Sequence, residues 1–223
     1  MARWQAWRLK RMKIITKRIE QADWQQVKRL VQEDMLHVGD QVEDFIRSTP
    51  MTFEVAEVLN EGVYFVSKQL WPEMVQWNKE RTNKGGFKDS NVKRFLNEEI
   101  YNILPDEMQE VISERQVLQI IDGVEERFPC KLWLPTEYEV FGEEAWVNDD
   151  HEGQQFTYFK DPSNRVKCDD ETGESEFWWL LSVYSGNSTD ACHVNHDGNA
   201  DGIGASNSLR VPICFLIAKE SKE

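Results

Sequence analysis

Apolar positions recur along this chain first at helical and then at strand spacing. Between Asp23 and about Asp34, Trp24, Val27, Leu30 and Val31 fall on one helical face, and Asp23 stands where an N-cap is needed. HVGDQVEDFI (37–46) changes to strand-like alternation, and TFEVAEVLNEGVYFVSKQL (52–70) predicts a hairpin turning near Asn60, Glu61 and Gly62. Asp89 or Ser90 then caps a helix bearing Val92, Phe95, Leu96 and Ile100, and Pro105 opens a shorter one with Met108, Val111 and Ile112. The second half reads as strands: VLQIID (117–122), KLWLPTEYEVFG (131–142), EFWWLLSVY (176–184), DACHVNHDGNAD (190–201) and SLRVPICFLIA (208–218). An irregular acidic stretch from Gly142 to about Gly173 interrupts them. HVNHDGNA (193–200) has the form of a tight hairpin, because Asp-Gly suits the positive φ angles of a two-residue turn. Pro212, lacking an amide donor, is expected at an edge or a bulge. Helices first and antiparallel strands afterwards make the fold class α+β, with one domain from about residue 22 to 223.

Charge divides the chain unevenly. The net charge is −14, yet residues 1–20 carry seven Lys/Arg against one Glu. That start, with Trp4, Trp7, Leu9, Met12 and Ile15, reads as a basic amphipathic helix suited to packing on its own domain, on a partner chain or on an acidic partner. The acidic remainder argues against a grip on nucleic acid, which needs a basic face. No apolar run is long enough for a signal-peptide core or a membrane span, so the chain is expected to be cytoplasmic as synthesised, reaching a virion or cell surface only through a partner. Cys130, Cys168, Cys192 and Cys214 lie far apart without zinc spacing and are expected as free thiols.

Six motifs stand in order along the chain: HVGD (37–40), TNKGGFKDSNVKRFLN (82–97), WLPTEYEVFG (133–142), EGQQFTYF (152–159), FWWLLS (177–182) and LRVPICF (209–215). In these the chain resembles a C-type-lectin-like domain family of bacteria and phages. That family is similar to the variable proteins of diversity-generating retroelements and, more distantly, to the formylglycine-generating enzyme fold. Leu181 stands where Arg is usual, and LRVPICF departs from the usual G-V-R-P. The resemblance implies a C-type-lectin-like fold: helices early, a twisted antiparallel sheet with long irregular loops late, and a ligand-binding face formed by the last strands and loops.

From Leu180 through Ala218 there is no Lys, Glu, Gln, Met or Trp, types that make up 67 of the other 184 residues. Loops and buried strands shed Lys, Glu and Gln, so composition alone is suggestive. Those five types are also the ones no pyrimidine-ending codon specifies, as expected when retroelement mutagenesis scrambles the adenines of AAC codons. Asn187, Asn195, Asn199 and Asn207 would then be unmutated or restored, and His193, His196, Asp201, Gly202, Ile203, Gly204 and Leu209 diversified. With Tyr184, Thr189, Asp190 and Ser206 they make the predicted face, touching an unidentified protein or cell-surface ligand, while Val194, Asp197, Gly198, Ala200 and Ala205 hold the hairpin. A fold-mate with a fixed binding or phage structural role is the alternative.

Other chemistry reads weakly. DGNADG matches half a calcium loop, but its twelfth position is Ser208 where bidentate Glu is needed. His193, His196, Cys192 and Asp190 invite a metal or a nucleophile, but no HExxH, serine elbow or phosphate loop accompanies them. The resemblance brings in a cysteine pair of the formylglycine-generating type, for which Cys192 and Cys214 are the local candidates; nothing around them promises a depressed thiol pKa. Gly85-Gly86 reads as a turn before a helix, Trp178-Trp179 as core, and the acidic loops as solvated surface. The expectation is a binding protein, not an enzyme, with no cofactor and no metal.

Overall fold

The computed structural model describes residues 22–121, 123–143, 146, 154–169 and 172–220. The basic helix expected over 1–21 lies outside the described residues, as does much of the acidic stretch after Gly142.

Helix α1 (Trp24–Gln32) starts where Asp23 Oδ1 accepts from Gln26 N at 2.9 Å, which satisfies one otherwise orphaned amide of the first turn. Its face of Trp24, Val27 and Val31 is buried, with Trp24 5.8 Å from the rings of both Phe53 and Phe215. Strands β1 (Gln41–Ile46), β2 (Thr49–Val58) and β3 (Gly62–Ser67) follow, with β2 and β3 joined at Asn60-Glu61 as expected. After the short β4 (Val75–Gln76), two glycines with positive φ, Gly85 and Gly86, turn the chain into a four-residue helical turn. Ser90 Oγ then accepts from Lys93 N and opens α2 (Asn91–Arg94), which continues as a π-helical stretch over Phe95–Ile100. Helix α3 (Asp106–Val111) starts after Pro105.

Strands β5 (Arg115–Ile121) and β6 (Val124–Cys130) form a separate hairpin. The next segment corrects the sequence reading. Residues 131–142, expected as a strand, contain α4 (Glu137–Phe141). Thr136 Oγ1 accepts from Glu139 N while Glu139 Oε2 accepts from Thr136 N, both at 3.0 Å, and Gly142 ends the helix at φ +74°. This reciprocal cap overrides the alternating pattern that suggested a strand.

The remaining strands are β7 (Lys167–Cys168), β8 (Ser175–Glu176), β9 (Trp178–Val183), β10 (Asp190–Val194), β11 (Ala200–Gly204), β12 (Ser208–Leu209) and β13 (Cys214–Ala218). Pro212 falls between β12 and β13, outside either strand. The molecule is a mixed α+β fold with an antiparallel four-stranded sheet ordered β1-β2-β3-β13 and a three-stranded sheet ordered β11-β10-β9. The return of β13 to pair with β3 closes the first sheet with a strand some 150 residues downstream, and Phe215 on it stacks on Phe65 at 5.0 Å. Strand β2 is covered on both faces, so Glu54 and Glu57 are buried and partnered: Glu54 accepts from Tyr158 Oη and Glu57 Oε2 from Thr157 N at 2.7 Å.

Candidate recognition face

The face proper is the β10–β11 hairpin with the turn that precedes it. Pairing runs from Asp190↔Gly204 to Val194↔Ala200, and β11 is the edge strand of its sheet. Asn195 O accepts from Gly198 N and Asn195 N donates to Asn199 O, both at 2.9 Å, so the loop is His196-Asp197-Gly198. Only Gly198 has positive φ, +80°; the expected two-residue Asp-Gly turn is replaced by a three-residue loop with the glycine at its left-handed position. Asn195 Oδ1 accepts from the amides of Asp197 and Asn199 and fixes that loop.

Cross-strand pairs share a face, so the predicted residues divide between two. His193 and Asp201 lie opposite each other, as do Ala191 and Ile203, with Trp179 of β9 behind His193. The other face carries Asp190, Cys192 and Val194 opposite Gly204, Gly202 and Ala200. There the Tyr184 ring covers Gly202, 3.5 Å from where a Cβ would stand, and packs 5.2 Å from Trp146.

Several predicted contact residues are not available for contact. His193 is only 4% exposed: Phe177 at 5.4 Å and Trp179 at 6.3 Å stand edge-on to its ring. Burial lowers its pKa below the ordinary imidazole value, a nearby Asp201 partly opposing, and Nδ1 has no hydrogen-bond partner. Leu209 is 8% exposed in the short β12–β4 pair, and Gly204 is buried where a Cβ would meet Arg81 Nε and Asn207 Nδ2 at 3.0 Å. His193 and Gly204 belong to the frame because strands β10 and β11 are covered on parts of both faces, and Leu209 because β12 packs against β4; alternation alone reveals neither.

Others spend their polar groups on the segment itself. Asn187 Oδ1 accepts from Thr189 N and Oγ1, Asn187 Nδ2 donates to Asp190 Oδ2, and Asn207 Nδ2 donates to Gly204 O. What stands outward is His196, Asn199, Asp201 and Asn207, with Ile203, Ser206 and Tyr184 half-buried. Phe177, absent from the sequence-derived set, joins them: it is partly exposed and its ring lies 5.4 Å from His196.

The backbone of this segment is held from outside it. Asn83 Nδ2 lies 2.8–3.2 Å from the carbonyls of Tyr184, Asn187 and Asp190, and Asn83 N donates to Ser188 O at 2.9 Å. Gln76 Nε2 donates to Ser206 O, Asn78 N to Ala205 O, and Arg81 pairs with Asp190 at 3.4 Å. Two buried indoles complete the frame, Trp77 donating to Leu180 O and Trp179 to Val75 O. Trp178 and Trp179 are fully buried, as core. The TNKGGFKDS motif carried the signal for Asn83, although its periodicity had pointed only to a turn and a helix.

The half calcium loop is split by the hairpin: Asp197 sits in the loop and Asn199 just after it, whereas Asp201 is in β11 and accepts from Gly202 N at 2.7 Å. Among the described residues no three His, Cys, Asp or Glu side chains are grouped as metal ligands. None of the four cysteines is in a disulfide, and Cys192 and Cys214 are buried; burial pushes the Cys214 thiol well above its ordinary range. No helix of the described residues is long and apolar enough to cross a membrane.

No curated protein and no solved structure matches the chain. One family profile does, over the stretch that runs from the β2–β3 turn through β13 and so includes both the frame and the hairpin. The chain belongs to the family described as Domain of unknown function (DUF6273), matched over residues 61–219.

Proposed function

We propose that this chain is a ligand-binding protein, not an enzyme, of C-type-lectin-like fold, and a variable protein of a diversity-generating retroelement. Its contact surface is the outward side of the 184–207 segment: His196, Asn199, Asp201, Ile203 and Ser206, with Phe177 at the margin. The observation that carries this reading is the division of labour around Asn83: the carbonyls of the segment are held by side chains at 76–83, outside the compositionally restricted run. Residues that do not support the backbone can be exchanged without loss of the fold, since surface substitutions usually shift stability by under about 0.5 kcal/mol each. Short polar, small and aromatic groups also lose little rotamer freedom on binding.

The DNA beside the coding sequence tests diversification. A near-copy of the segment differing only at adenines, next to a reverse transcriptase gene, is the expected finding; its absence overturns diversification and leaves a fixed binding or phage structural role. Protein chemistry tests the face itself. Replacing His196, Asn199, Asp201 and Ile203 together by Ala is expected to leave the unfolding free energy from urea titration within about 2 kcal/mol of wild type, the sum of four small surface terms. Global unfolding by that variant would place these side chains in the support.

A further inference from the structure

A second concavity lies apart from the hairpin and shares no residue with segment 184–209. A cleft of about 480 Å3 opens where β3, β13, the start of β5 and α4 meet. That size suits a small ligand, for which sites of about 300–1,000 Å3 are usual.

One wall is prebuilt. The Arg115 guanidinium lies 4.8 Å from the Trp133 ring centre and 5.2 Å from that of Tyr64, and its Nη2 donates to Glu139 Oε1 at 2.5 Å. The other Glu139 oxygen is taken by Thr136 N at the α4 cap. Arg115 and Glu139 therefore neutralise one another, and packing on two aromatic faces with a helix cap behind holds them in place.

The charge left over is negative. Glu61 and Glu114 also line the cleft, and among the described residues neither has a cationic partner; Glu61 accepts only the Tyr64 hydroxyl, at 3.0 Å. Lys219, whose amide donates to Glu61 O, carries its ammonium to Asp34 at 2.7 Å and to Leu59 O at 3.0 Å. Beside these carboxylates the lining combines two amides, Gln116 and Gln154, with an apolar and aromatic part formed by Leu59, Phe156 and Leu216. Two carboxylates without a cationic partner beside an apolar wall favour a cation that can also bury carbon.

We infer that this cleft binds a small organic cation, a primary amine on a short apolar stem, with Glu61 and Glu114 taking the ammonium and Phe156 and Leu216 the stem. This site does not depend on the reading of the hairpin face.

The test titrates the full chain with pentan-1-amine, and with pentan-1-ol and pentanoate as partners of the same stem, following backbone amide shifts by NMR. Saturable binding of the amine is expected, with shifts centred on Tyr64, Leu216 and Ala218, and at least fivefold weaker binding in the double variant Glu61→Gln/Glu114→Gln. Because Glu114 is exposed, Glu114→Gln alone keeps the fold and should weaken the amine two- to threefold. Equal binding of all three probes, preference for pentanoate, shifts centred elsewhere, or no effect of either variant would each overturn the assignment.

Discussion

Lys167 is buried beside Trp178 and Tyr158, its ammonium donating to Ser67 O at 2.6 Å and Lys68 O at 3.3 Å. Burial pulls its pKa down from 10.5 to about 8, with Cys214 and Glu54 opposing. Between those values the folded chain holds fewer protons at Lys167 than the unfolded chain, so the stability linked to this residue rises with pH and is lost as pH falls through about 8. From pH 7.5 to 9 the stability of wild type relative to Lys167→Met is expected to rise by roughly 1 kcal/mol, measured by urea unfolding at each pH. A flat difference would mean that water reaches the ammonium. Nothing in the periodicity marks Lys167, Glu54 or Glu57 as buried; each is polar in a stretch where polar reads as exposed, and only the partners brought by distant segments make their burial affordable.

At the scale of elements, local chemistry decides what pattern leaves open. Asp23, and Ser90 as one of two neighbouring candidates with Asp89, were legible as helix starts because a cap is a contact within three residues; Pro105 was legible because its fixed φ suits the opening of a helix. The α4 helix was equally legible in principle: Thr136 followed three residues later by Glu139 is a capping box, and the alternation of KLWLPTEYEVFG concealed it. The β10–β11 hairpin was legible, its loop type was not, because Asp-Gly suits both a two-residue turn and the three-residue loop with only the glycine left-handed. Gly198 sits at φ +80° with a would-be Cβ 3.0 Å from Val166 Cγ2. Gly198→Ala is therefore expected to cost about 1–2 kcal/mol in chemical denaturation, from the left-handed backbone alone. A neutral result would show that the loop has another conformation within easy reach.

For the whole molecule, stability rests on aromatic residues gathered from both ends of the described chain. Phe215 meets Trp24, Phe53 and Phe65, at ring separations of 5.8, 5.3 and 5.0 Å. Phe215→Ala is expected to cost about 3–5 kcal/mol by urea unfolding, far more than the four outward hairpin substitutions together. A comparable loss from both variants would mean that frame and face are not separate.

By itself the sequence determined the α+β class, most element positions, the aromatic core rows and the restricted run at 180–218, because periodicity, caps and composition are properties of neighbouring residues. It could place candidate contact residues on a strand but not say which of that strand's two faces was covered. Only the tertiary structure decided that His193, Gly204 and Leu209 support the hairpin, and that Asn83 grips three carbonyls about a hundred residues away. It also gathered the Arg115 cleft from five separate segments. The physical reason is the same in each case: burial and hydrogen-bond partnership at these positions come from segments distant along the chain, and no local pattern encodes what will arrive to cover a strand.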